Sequence, residues 1–479
     1  MAESGDPLRV YTLRGLPPEV AAVTFAKTSR SPESFDEIAR ELTEADSSRF
    51  HEKWVIGYGH SSVAEHAVLS IAVENVSILG AKVLEDNRLS SFTEKSTRYQ
   101  VMDPANYYTP PAFEGVGAYH AVVSALYDTY AELLELVRPF CERKYGAPEH
   151  RAAGLNPAGK ACDAVRGLLP SAAKTNLGWT VNARSLRHAI VKLRSHPLVE
   201  MRELGDALEE ACGEAVPTLL RHTETSSYLS DRPGGGVGAA ARRRVGGPPG
   251  ESGATSGDRG QAAVSGSVVR LVSHDPRGER RVAETILFGA DGCSHDEARE
   301  RVEAMSDEEI GVLLKGALDG IGGHEAPVRE FESTAYVFEI TCDFGAYRDV
   351  QRHRMTSQIA QPLTCDLGYS TPDDAVESGA AYAMRVQLDR AREAWRDLAS
   401  IDLFSAQYAV PLAFRKRFLM QMNYREAYVF ARLRSKVQGH ESYRRIAWSV
   451  KDEIERVHPT LGGAIPVDRE PVAERPVGG

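Results

Sequence analysis

The sequence predicts a mixed helix-and-strand chain, of the α/β (α+β) class, in which one fold is repeated in tandem. A segment that opens with Gly59-His60 recurs in altered form after Gly323-His324. Short strands and helices also follow one another in the same order in both halves. The length of 479 residues exceeds what one hydrophobic core usually serves. We therefore expect two domains that pair as a pseudo-dimer within one chain.

The domain boundaries follow from the repeat and from local composition. Residues 1–230 form the first copy and residues 266–465 the second. Residues 231–265 between them are rich in Gly, Pro and Arg, and such a segment buries too little apolar surface to offset its ordering entropy. We expect a flexible linker there and a disordered tail at residues 466–479. Arg242-Arg243-Arg244 in the linker is interpreted as a solvated cluster, with nucleic-acid contact as the less favoured alternative.

The residue pattern predicts the first elements of each copy in the same order. The first copy is expected to have an edge strand at Leu8–Leu13, a helix from Pro17-Pro18 and a short helix at Phe35–Leu42. The second copy is expected to have a strand at Val268–Val272 and helices at Val282–Phe288 and Glu297–Met305.

Each copy then continues with a long amphipathic helix and a closing helix. In the long helices, apolar residues recur at the spacing of one buried face. They are Val122, Leu126, Tyr130, Leu133 and Val137 in the first copy, and Met384, Leu388, Ala391, Trp395 and Leu398 in the second. The closing helices are expected at Val181–Arg194 and Met422–Arg434, and both open with an N-x-R sequence.

Bulk composition limits the classes of function. The net charge of −10 argues against a broad nucleic-acid-binding surface. Six scattered cysteines without a C-x-x-C pair suit a reducing compartment. No run is long and apolar enough to span a bilayer, and the N-terminus has no apolar signal region. We expect a cytoplasmic protein that binds neither nucleic acid nor membranes.

Two polar segments are candidates for ligand binding. Arg352-His353-Arg354 places two fixed positive charges around a ring that can stack and donate, which predicts a phosphate or anion clamp. A solvated surface cluster is the alternative. Glu94, Ser96 and Arg98 alternate along an extended chain and would face one side together. A carboxylate, a hydroxyl and a guanidinium on one face suit a nucleotide, and a polar turn is an equal alternative.

The two closing helices differ at the position of one arginine. Asn423 and Arg434 are eleven residues apart, which places them within about 20° on one helical face. In the first copy the residue eleven after Asn182 is Leu193, and Arg194 lies about 100° away from that face. The first copy is therefore expected to lack this arginine, unless a local bulge brings Arg194 into its place.

Other conspicuous residues are given structural interpretations. His60, Glu65 and His66 lack a third ligand at suitable spacing, so no metal site is predicted. Trp54, Tyr58 and Tyr99 are interpreted as core aromatics, with a ring-binding pocket as the alternative.

The combined motifs resemble those of the flavin-dependent thymidylate synthases, doubled in tandem. That family carries a G-H-x-[ST]-x-x-E-H segment, an R-H-R sequence, a nearby S-x-R-Y and a later N-x-R helix. The first copy matches at Gly59-His60, Ser62, Glu65-His66, Arg88, Ser91, Glu94, Ser96 and Arg98-Tyr99. The second copy matches at Arg352-His353-Arg354, Asn423, Arg425 and Arg434.

The resemblance implies a flavoprotein methyltransferase of nucleotide biosynthesis that forms dTMP or a related product. Such an enzyme binds FAD and methylates a small-molecule pyrimidine nucleotide at carbon 5. Methylenetetrahydrofolate gives the carbon, NADPH reduces the flavin, and no protein cysteine acts as nucleophile. The family forms homotetramers, so two copies of this chain would associate as a homodimer that is a pseudo-tetramer.

Residue roles carry over from the family only at matching positions. The resemblance gives catalytic roles to Arg88, Glu94 and Ser96, and nucleotide binding to Glu94, Ser96, Arg98 and Arg434. It gives cofactor contacts to His60, Ser62, Asn182, Arg184, Arg352, His353, Arg354, Asn423 and Arg425.

Each copy departs from the family pattern at different places. The first copy has Asp86-Asn87 where Arg-His is expected. The second copy has Arg329-Glu330 where Glu-His is expected and Pro362 where Ser is expected. The favoured hypothesis is that the copies complete one another's sites. The alternative is a degenerate, non-catalytic homologue that binds a nucleotide or flavin in regulation or assembly. The methyl acceptor stays open among dUMP, UMP and related pyrimidines.

Overall fold

A computed structural model describes residues 8–230 and 268–469. The predicted linker, residues 231–265, lies outside the described residues, as do residues 470–479 of the predicted tail. Residues 466–469 are described, and the Asp468 carbonyl accepts hydrogen bonds from Arg444 and Trp448. These four residues therefore belong to the packed structure and not to a disordered tail.

Helices and short strands alternate in both copies, which confirms the predicted α+β class and the tandem duplication. The first copy contains α1 (Pro18–Lys27), α2 (Phe35–Glu41), α3 (Glu44–Phe50), β1 (Val68–Ser77), α4 (Ile78–Leu84), β2 (Ser90–Glu94), α5 (Gly117–Tyr145), α6 (Pro148–Ala152), α7 (Pro157–Val165), β3 (Lys174–Asn182), α8 (Ala183–Arg194), α9 (Val199–Gly213) and α10 (Ser227–Ser230).

The second copy begins with a strand that has no counterpart among the described residues of the first copy, and it then repeats the order of strands and long helices. It contains β4 (Val268–His274), α11 (Gly278–Asp291), α12 (His295–Ala304), α13 (Asp307–Leu318), β5 (Ala335–Asp343), α14 (Phe344–Val350), β6 (Ser357–Ala360), α15 (Asp373–Glu377), α16 (Ala381–Ile401), β7 (Arg415–Asn423), α17 (Tyr424–Arg434), α18 (Glu441–Val457) and α19 (Pro459–Ala464).

The described residues cluster into two compact units that divide the chain differently from the sequence repeat. The first unit comprises residues 8–76, 83–94 and 175–230. The second comprises residues 77–82, 95–174 and 268–469. The middle of the first copy thus packs with the second copy, because the buried faces of α5 and α16 meet there. The predicted domain boundaries concern the repeat in sequence and stay a prediction.

Each unit is built on one small sheet. The sheet of the first unit has the order β1-β3-β2, and in its antiparallel β2–β3 pair the ring of Phe92 stacks on Trp179 at 5.7 Å. The sheet of the second unit has the order β4-β5-β7-β6, with antiparallel neighbours throughout. The predicted edge strand at Leu8–Leu13 is wrong. Leu8 and Val10 are 94% and 89% exposed, so the burial that would favour strand pairing is missing there.

Backbone pairing inside the second unit joins the two copies. The Ser171 amide donates to the Val410 carbonyl and the Leu412 amide donates to the Leu169 carbonyl, both at 2.9 Å. Pro170 and Pro411 face each other at the centre of this pairing. The arrangement is reciprocal, as expected for two copies of one fold, and confirms the predicted pseudo-dimer.

A carboxylate that accepts two backbone amides occurs in both copies and was missed in the sequence. In the first unit Glu19 Oε1 accepts the backbone amides of Thr218-Leu219 at 2.7 and 2.9 Å. In the second unit Glu279 Oε1 accepts those of Thr460-Leu461 at 2.7 and 3.0 Å. Both pairs of donating amides follow a proline, so the short sequence Pro-Thr-Leu was the signal that could have revealed them. Among the helices described, none combines the length and the apolar character needed to cross a membrane.

Candidate functional site

A cluster of arginines and carboxylates lies in the second unit and takes its side chains from both copies. The first copy contributes Arg98, from the turn that follows β2, and Asp163 near the end of α7. The second copy contributes Arg434, the last residue of α17, and Tyr443 in the first turn of α18. All of these belong to one compact unit, so their distances describe a single site. We call these residues, together with Arg166, Asp349 and Arg352, the arginine cluster.

Side-chain caps fix the starts of the three second-copy helices that carry the cluster. Asp343 accepts from the backbone amide three residues on and starts α14. Asn423 does the same for α17. His440 accepts from the Ser442 amide through Nδ1 and starts α18. Such caps satisfy amides that have no partner within the helix, so each helix begins at a fixed residue.

Arg98 and Asp163 form a buried, bidentate ion pair. The Arg98 Nε lies 2.8 Å from Asp163 Oδ1 and Nη2 lies 2.7 Å from Oδ2, while the two side chains are 15% and 6% exposed. Arg98 also donates to the Gln438 carbonyl and to the Tyr443 hydroxyl, at 2.9 and 3.1 Å. Burial would raise the pKa of Asp163, but Arg166 and Arg98 lower it to about 2. The carboxylate is therefore ionised at neutral pH.

Arg434 reaches the same tyrosine from the other side of the cluster. Its guanidinium carbon lies 5.5 Å from the centre of the Tyr443 ring, and that of Arg98 lies 5.9 Å from it. The Ser96 hydroxyl accepts the Arg98 backbone amide at 3.2 Å. The structure thus brings Ser96, Arg98 and Arg434 to one site, as expected for copies that complete one another. Their roles in binding stay predictions.

Asp349 is surrounded by positive charge. Burial would raise its pKa, yet the pKa is lowered because several guanidinium groups stabilise the ionised form. In decreasing order of effect these are Arg166, Arg434, Arg352 and Arg98. The Arg434 Nη1 lies 3.6 Å from Asp349 Oδ1. Two arginines of each copy therefore act on one carboxylate.

Arg166 belongs to this site and was missed in the sequence. It follows α7 in a short 3₁₀ turn, its side chain is 5% exposed and its Nε lies 3.5 Å from Asp163 Oδ1. Its Nη2 atom is buried without a hydrogen-bond partner. No motif marks this arginine. The only signal was its place within the apolar run from Ala164 to Leu169, where a charge requires a partner.

The prediction that Glu94, Ser96 and Arg98 face one side is wrong. The extended chain ends at Glu94, and residues 97–99 form a turn in which the Tyr99 amide donates to the Ser96 carbonyl. Alternation of side chains therefore stops after the strand. Glu94 is buried in the first unit, whereas Ser96 and Arg98 belong to the second. Arg88 is exposed in the first unit.

Both closing helices start two residues later than predicted, at Ala183 and Tyr424. Asn182 and Asn423 are the cap residues, because each side-chain oxygen accepts an amide of the first helical turn. Arg184 forms an ion pair with Glu65 in the first unit. Arg425 donates to the Pro327 carbonyl and pairs with Glu332 in the second. Cofactor contacts of these four residues stay predictions.

The expected loss of the arginine in the first closing helix is confirmed. Helix α8 is regular, Leu193 is 1% exposed, and Arg194 turns toward α9. There its Nε lies 2.7 Å from Asp206 Oδ1, and Glu209 accepts from the same guanidinium. Arg194 is therefore held by acidic side chains of its own unit.

The two predicted cofactor residues at the N-terminal motif are exposed in the first unit. His60 and Ser62 follow Gly59, whose φ of 76° lies in the left-handed region that favours glycine. Tyr58 stacks on Trp54 at 5.0 Å and is 67% exposed. The interpretation of Tyr58 as a core aromatic is wrong, because its ring covers Trp54 from the solvent side. Tyr99, in the second unit, is also exposed.

Comparison with known proteins now identifies the family. The profile of the thymidylate synthase complementing protein family matches this chain twice, at residues 13–218 and 270–460. The chain belongs to that family.

Some relatives match nearly the whole of this chain, and others match about half of it. A UPF0159 protein of Chlamydia muridarum is 31% identical over 94% of this chain and 90% of its own length. A UPF0159 protein of Thermoplasma acidophilum is 28% identical over 88% of each chain. A flavin-dependent thymidylate synthase of Clostridium tetani is 25% identical over 46% of this chain and 88% of its own length. The half-length match agrees with the duplication.

The flavin-dependent relatives imply a flavin cofactor, and the described residues fit one in part. Arg352 and Arg354 are exposed on the turn after α14, where guanidinium groups suit the diphosphate of FAD. His353 between them is buried, with Nδ1 2.9 Å from Glu426 and Nε2 2.9 Å from Arg434 Nε. The two arginines fit the group, whereas both ring nitrogens of His353 already have protein partners.

Proposed function

We propose that the chain catalyses flavin-dependent reductive methylation of a pyrimidine nucleotide at carbon 5. Methylenetetrahydrofolate would donate the carbon and NADPH would reduce the flavin. The observation that carries this proposal is the arginine cluster, because a family member that acts on a nucleotide monophosphate needs a preformed site for a dianion. Membership of the thymidylate synthase complementing protein family supports the reaction class.

The field at the cluster suits an anion. Burial lowers the pKa of Arg434. Asp349 and Tyr443 raise it, and the charges of Arg352 and Arg98 lower it by smaller amounts. Asp349 is at the same time held ionised by the surrounding arginines. The cluster holds four arginines against two aspartates and therefore carries excess positive charge. A phosphate would relieve this excess.

The proposed contacts follow from the geometry of the second unit. Arg434 and Arg166 would bind the phosphate, since both are buried guanidiniums beside Asp349. Ser96 would bind the nucleotide through the hydroxyl that now accepts the Arg98 amide. Arg98 would contribute charge while it stays bound to Asp163. Roles for Glu94 and Arg88 rest on the family resemblance alone.

The cofactor would be held by Arg352 and Arg354. When bound, the flavin supplies the hydride that completes the transferred methyl group. The cysteines agree with a reaction that needs no thiolate. Burial raises the pKa of Cys141 to about 12, and Cys162, Cys212, Cys342 and Cys365 are likewise buried with raised pKa values. We further propose a homodimer, which corresponds to the tetramer of the family.

A second candidate is a non-catalytic protein that binds a nucleotide or a flavin. It is favoured by the ion pair of Arg98 with Asp163, because a carboxylate already occupies the fork that a phosphate would use. The first copy also lacks the arginine that corresponds to Arg434.

Purified full-length protein decides between these candidates. The enzyme proposal expects bound flavin, bleaching by NADPH, and faster reoxidation with methylenetetrahydrofolate plus one acceptor among dUMP and UMP. Arg434→Gln and Ser96→Ala should each lower kcat/KM by at least about tenfold, since the first removes a buried charge and the second a half-buried hydroxyl. Arg456→Gln is the control, because Arg456 is exposed and pairs only with Glu453 in the part described. Nucleotide binding without turnover would select the second candidate. Protein that takes up no flavin overturns the enzyme proposal.

A further inference from the structure

The turn Arg352-His353-Arg354 has one residue that points inward. The outer arginines are exposed, whereas the His353 side chain is 6% exposed. Its ring meets Phe430 edge to face at 4.8 Å, which fixes the plane of the imidazole. The two ring nitrogens then face different partners, with Nδ1 toward Glu426 and Nε2 toward Arg434.

The hydrogen-bond partners determine the protonation state of this ring. Arg434 Nε carries a hydrogen and has no lone pair to offer, so His353 Nε2 must accept. The proton of the neutral ring is then on Nδ1, which donates to Glu426 Oε1. A doubly protonated ring would place an N–H against the N–H of Arg434. The contact therefore exists only while His353 is neutral.

The charged groups that face His353 agree with a neutral ring. They are Glu426 and Arg434 from α17 and Asp349 from α14. Burial is the largest effect and lowers the pKa of His353, and Arg434 lowers it further. Glu426 and Asp349 raise the pKa, but not enough to offset burial and Arg434. Because the net pKa lies below the ordinary histidine value of 6.5, the ring is neutral at physiological pH.

The other copy has different residue types at the positions of Glu426, His353 and Arg434. The corresponding residues by spacing are Ser185, Asn87 and Leu193. Asn87 there donates to the Leu84 carbonyl of its own turn, and Leu193 is buried in the core of the first unit. The first copy therefore does not repeat this hydrogen-bond chain.

We propose that His353 is a positioning residue for Arg434, held as the Nδ1–H tautomer by Glu426, and not a ligand of the cofactor. It aims the Arg434 guanidinium at the anion site beside Asp349. The proposal rests on the proposed function for the identity of the anion, whereas the hydrogen-bond chain is independent of it. Acidification breaks the chain by protonating Nε2, so the site loses affinity for anions in acid.

Glutamine and alanine at position 426 provide matched variants. In Glu426→Gln an amide oxygen can still accept from Nδ1–H, whereas Glu426→Ala removes the acceptor. Glu453→Ala on α18 is the control, since Glu453 pairs with exposed Arg456. The first readout is the side-chain Nε–H of Arg434 in full-length, nitrogen-labelled protein, identified by its disappearance in Arg434→Lys. Exchange of this hydrogen with solvent should be at least about tenfold faster in Glu426→Ala and nearly unchanged in Glu426→Gln.

The second readout is the affinity for dUMP as a function of pH. Glu426→Ala should weaken binding by about tenfold, and Glu426→Gln by much less. In both variants the acid limb of the affinity profile should move to lower pH, because removal of the carboxylate lowers the pKa of His353. Titration of the nucleotide phosphate is common to all variants and cancels in this comparison.

The outcomes separate the positioning role of His353 from the proposed function. Equal exchange of the Arg434 hydrogen in wild type and Glu426→Ala overturns the positioning role. A histidine carbon or nitrogen spectrum that shows the Nε2–H tautomer of His353 at neutral pH overturns it as well. If exchange responds as expected but wild type binds no nucleotide, the proposed function fails while the role of His353 stands.

Discussion

Replacement of Asp163 by Asn tests whether the buried ion pair stabilises the second unit. The pKa of this carboxylate is about 2 in the folded protein against 3.8 in a model compound. At about 1.4 kcal/mol for each tenfold change in proton affinity, the charged form gains about 2.5 kcal/mol on folding. The variant also leaves Arg98 and Arg166 buried without this partner. We therefore expect a loss of about 3–5 kcal/mol, the range found when one partner of a buried pair is removed.

Native-state hydrogen exchange measures this loss in the unit concerned. Peptides from α7 report the opening free energy of the second unit without assuming that both units unfold together. Glu142→Gln is the control, because Glu142 pairs with Arg151 in the same unit while their side chains are 60% and 59% exposed. An exposed pair contributes about 0–1 kcal/mol, so the control should change little.

The sign of the pH dependence gives a further check. When folding lowers the pKa of a carboxylate, the carboxylate stabilises the folded state in full at pH values above its pKa in the unfolded chain. This contribution is lost as the pH falls toward the pKa in the folded protein. The difference between wild type and Asp163→Asn should thus be full above about pH 5 and shrink as pH falls from about 4 to 2. Opening free energies that match those of Glu142→Gln at neutral pH would refute the reasoning.

Two further predictions concern stability. His440 is buried with its pKa lowered to about 4, so the fold favours the neutral form and loses stability as pH falls below 6.5. The variant His440→Asn keeps an acceptor for the Ser442 amide and should remove about 1.3 kcal/mol of the stability loss between about pH 7.5 and 5.5. Urea denaturation measures this loss, and an unchanged loss in the variant contradicts the prediction. Gly278→Ala should destabilise the protein by at least about 2 kcal/mol, because the added Cβ would lie 2.3 Å from His458. In Gly316→Ala, on α13, the added Cβ meets nothing within 4 Å, so this control should stabilise by up to about 1 kcal/mol. Thermal denaturation compares the two variants, and equal melting temperatures would contradict the close approach at Gly278.

The two copies contribute different residues to the arginine cluster. The second copy keeps Arg434 with the histidine and glutamate that hold it. The first copy keeps Ser96 and Arg98 and supplies Arg166. Because these residues meet in one compact unit, the proposed enzyme would need both copies for one site. The same division explains why neither half carries a complete family motif.

Local patterns in the sequence predicted most of the long elements. The buried faces of α5 and α16 follow from apolar spacing alone, since a helix repeats every 3.6 residues wherever it lies in the chain. Leu193 at the position of Arg434 was also readable, because both closing helices are regular. The short segment at Leu8–Leu13 was mistaken for a strand, since strand formation depends on a partner that the local sequence does not specify.

The sequence by itself determined the duplication, the α+β class and the polar groups that each copy retains, because these depend on residue identity and spacing. Only the tertiary structure decided that Asp163, Arg166 and Asp349 join the site, since no periodicity links residues that lie in different copies. It also decided the direction of His353. A histidine between two arginines can face solvent or the interior, and that choice is made by Glu426 and Phe430 across the fold.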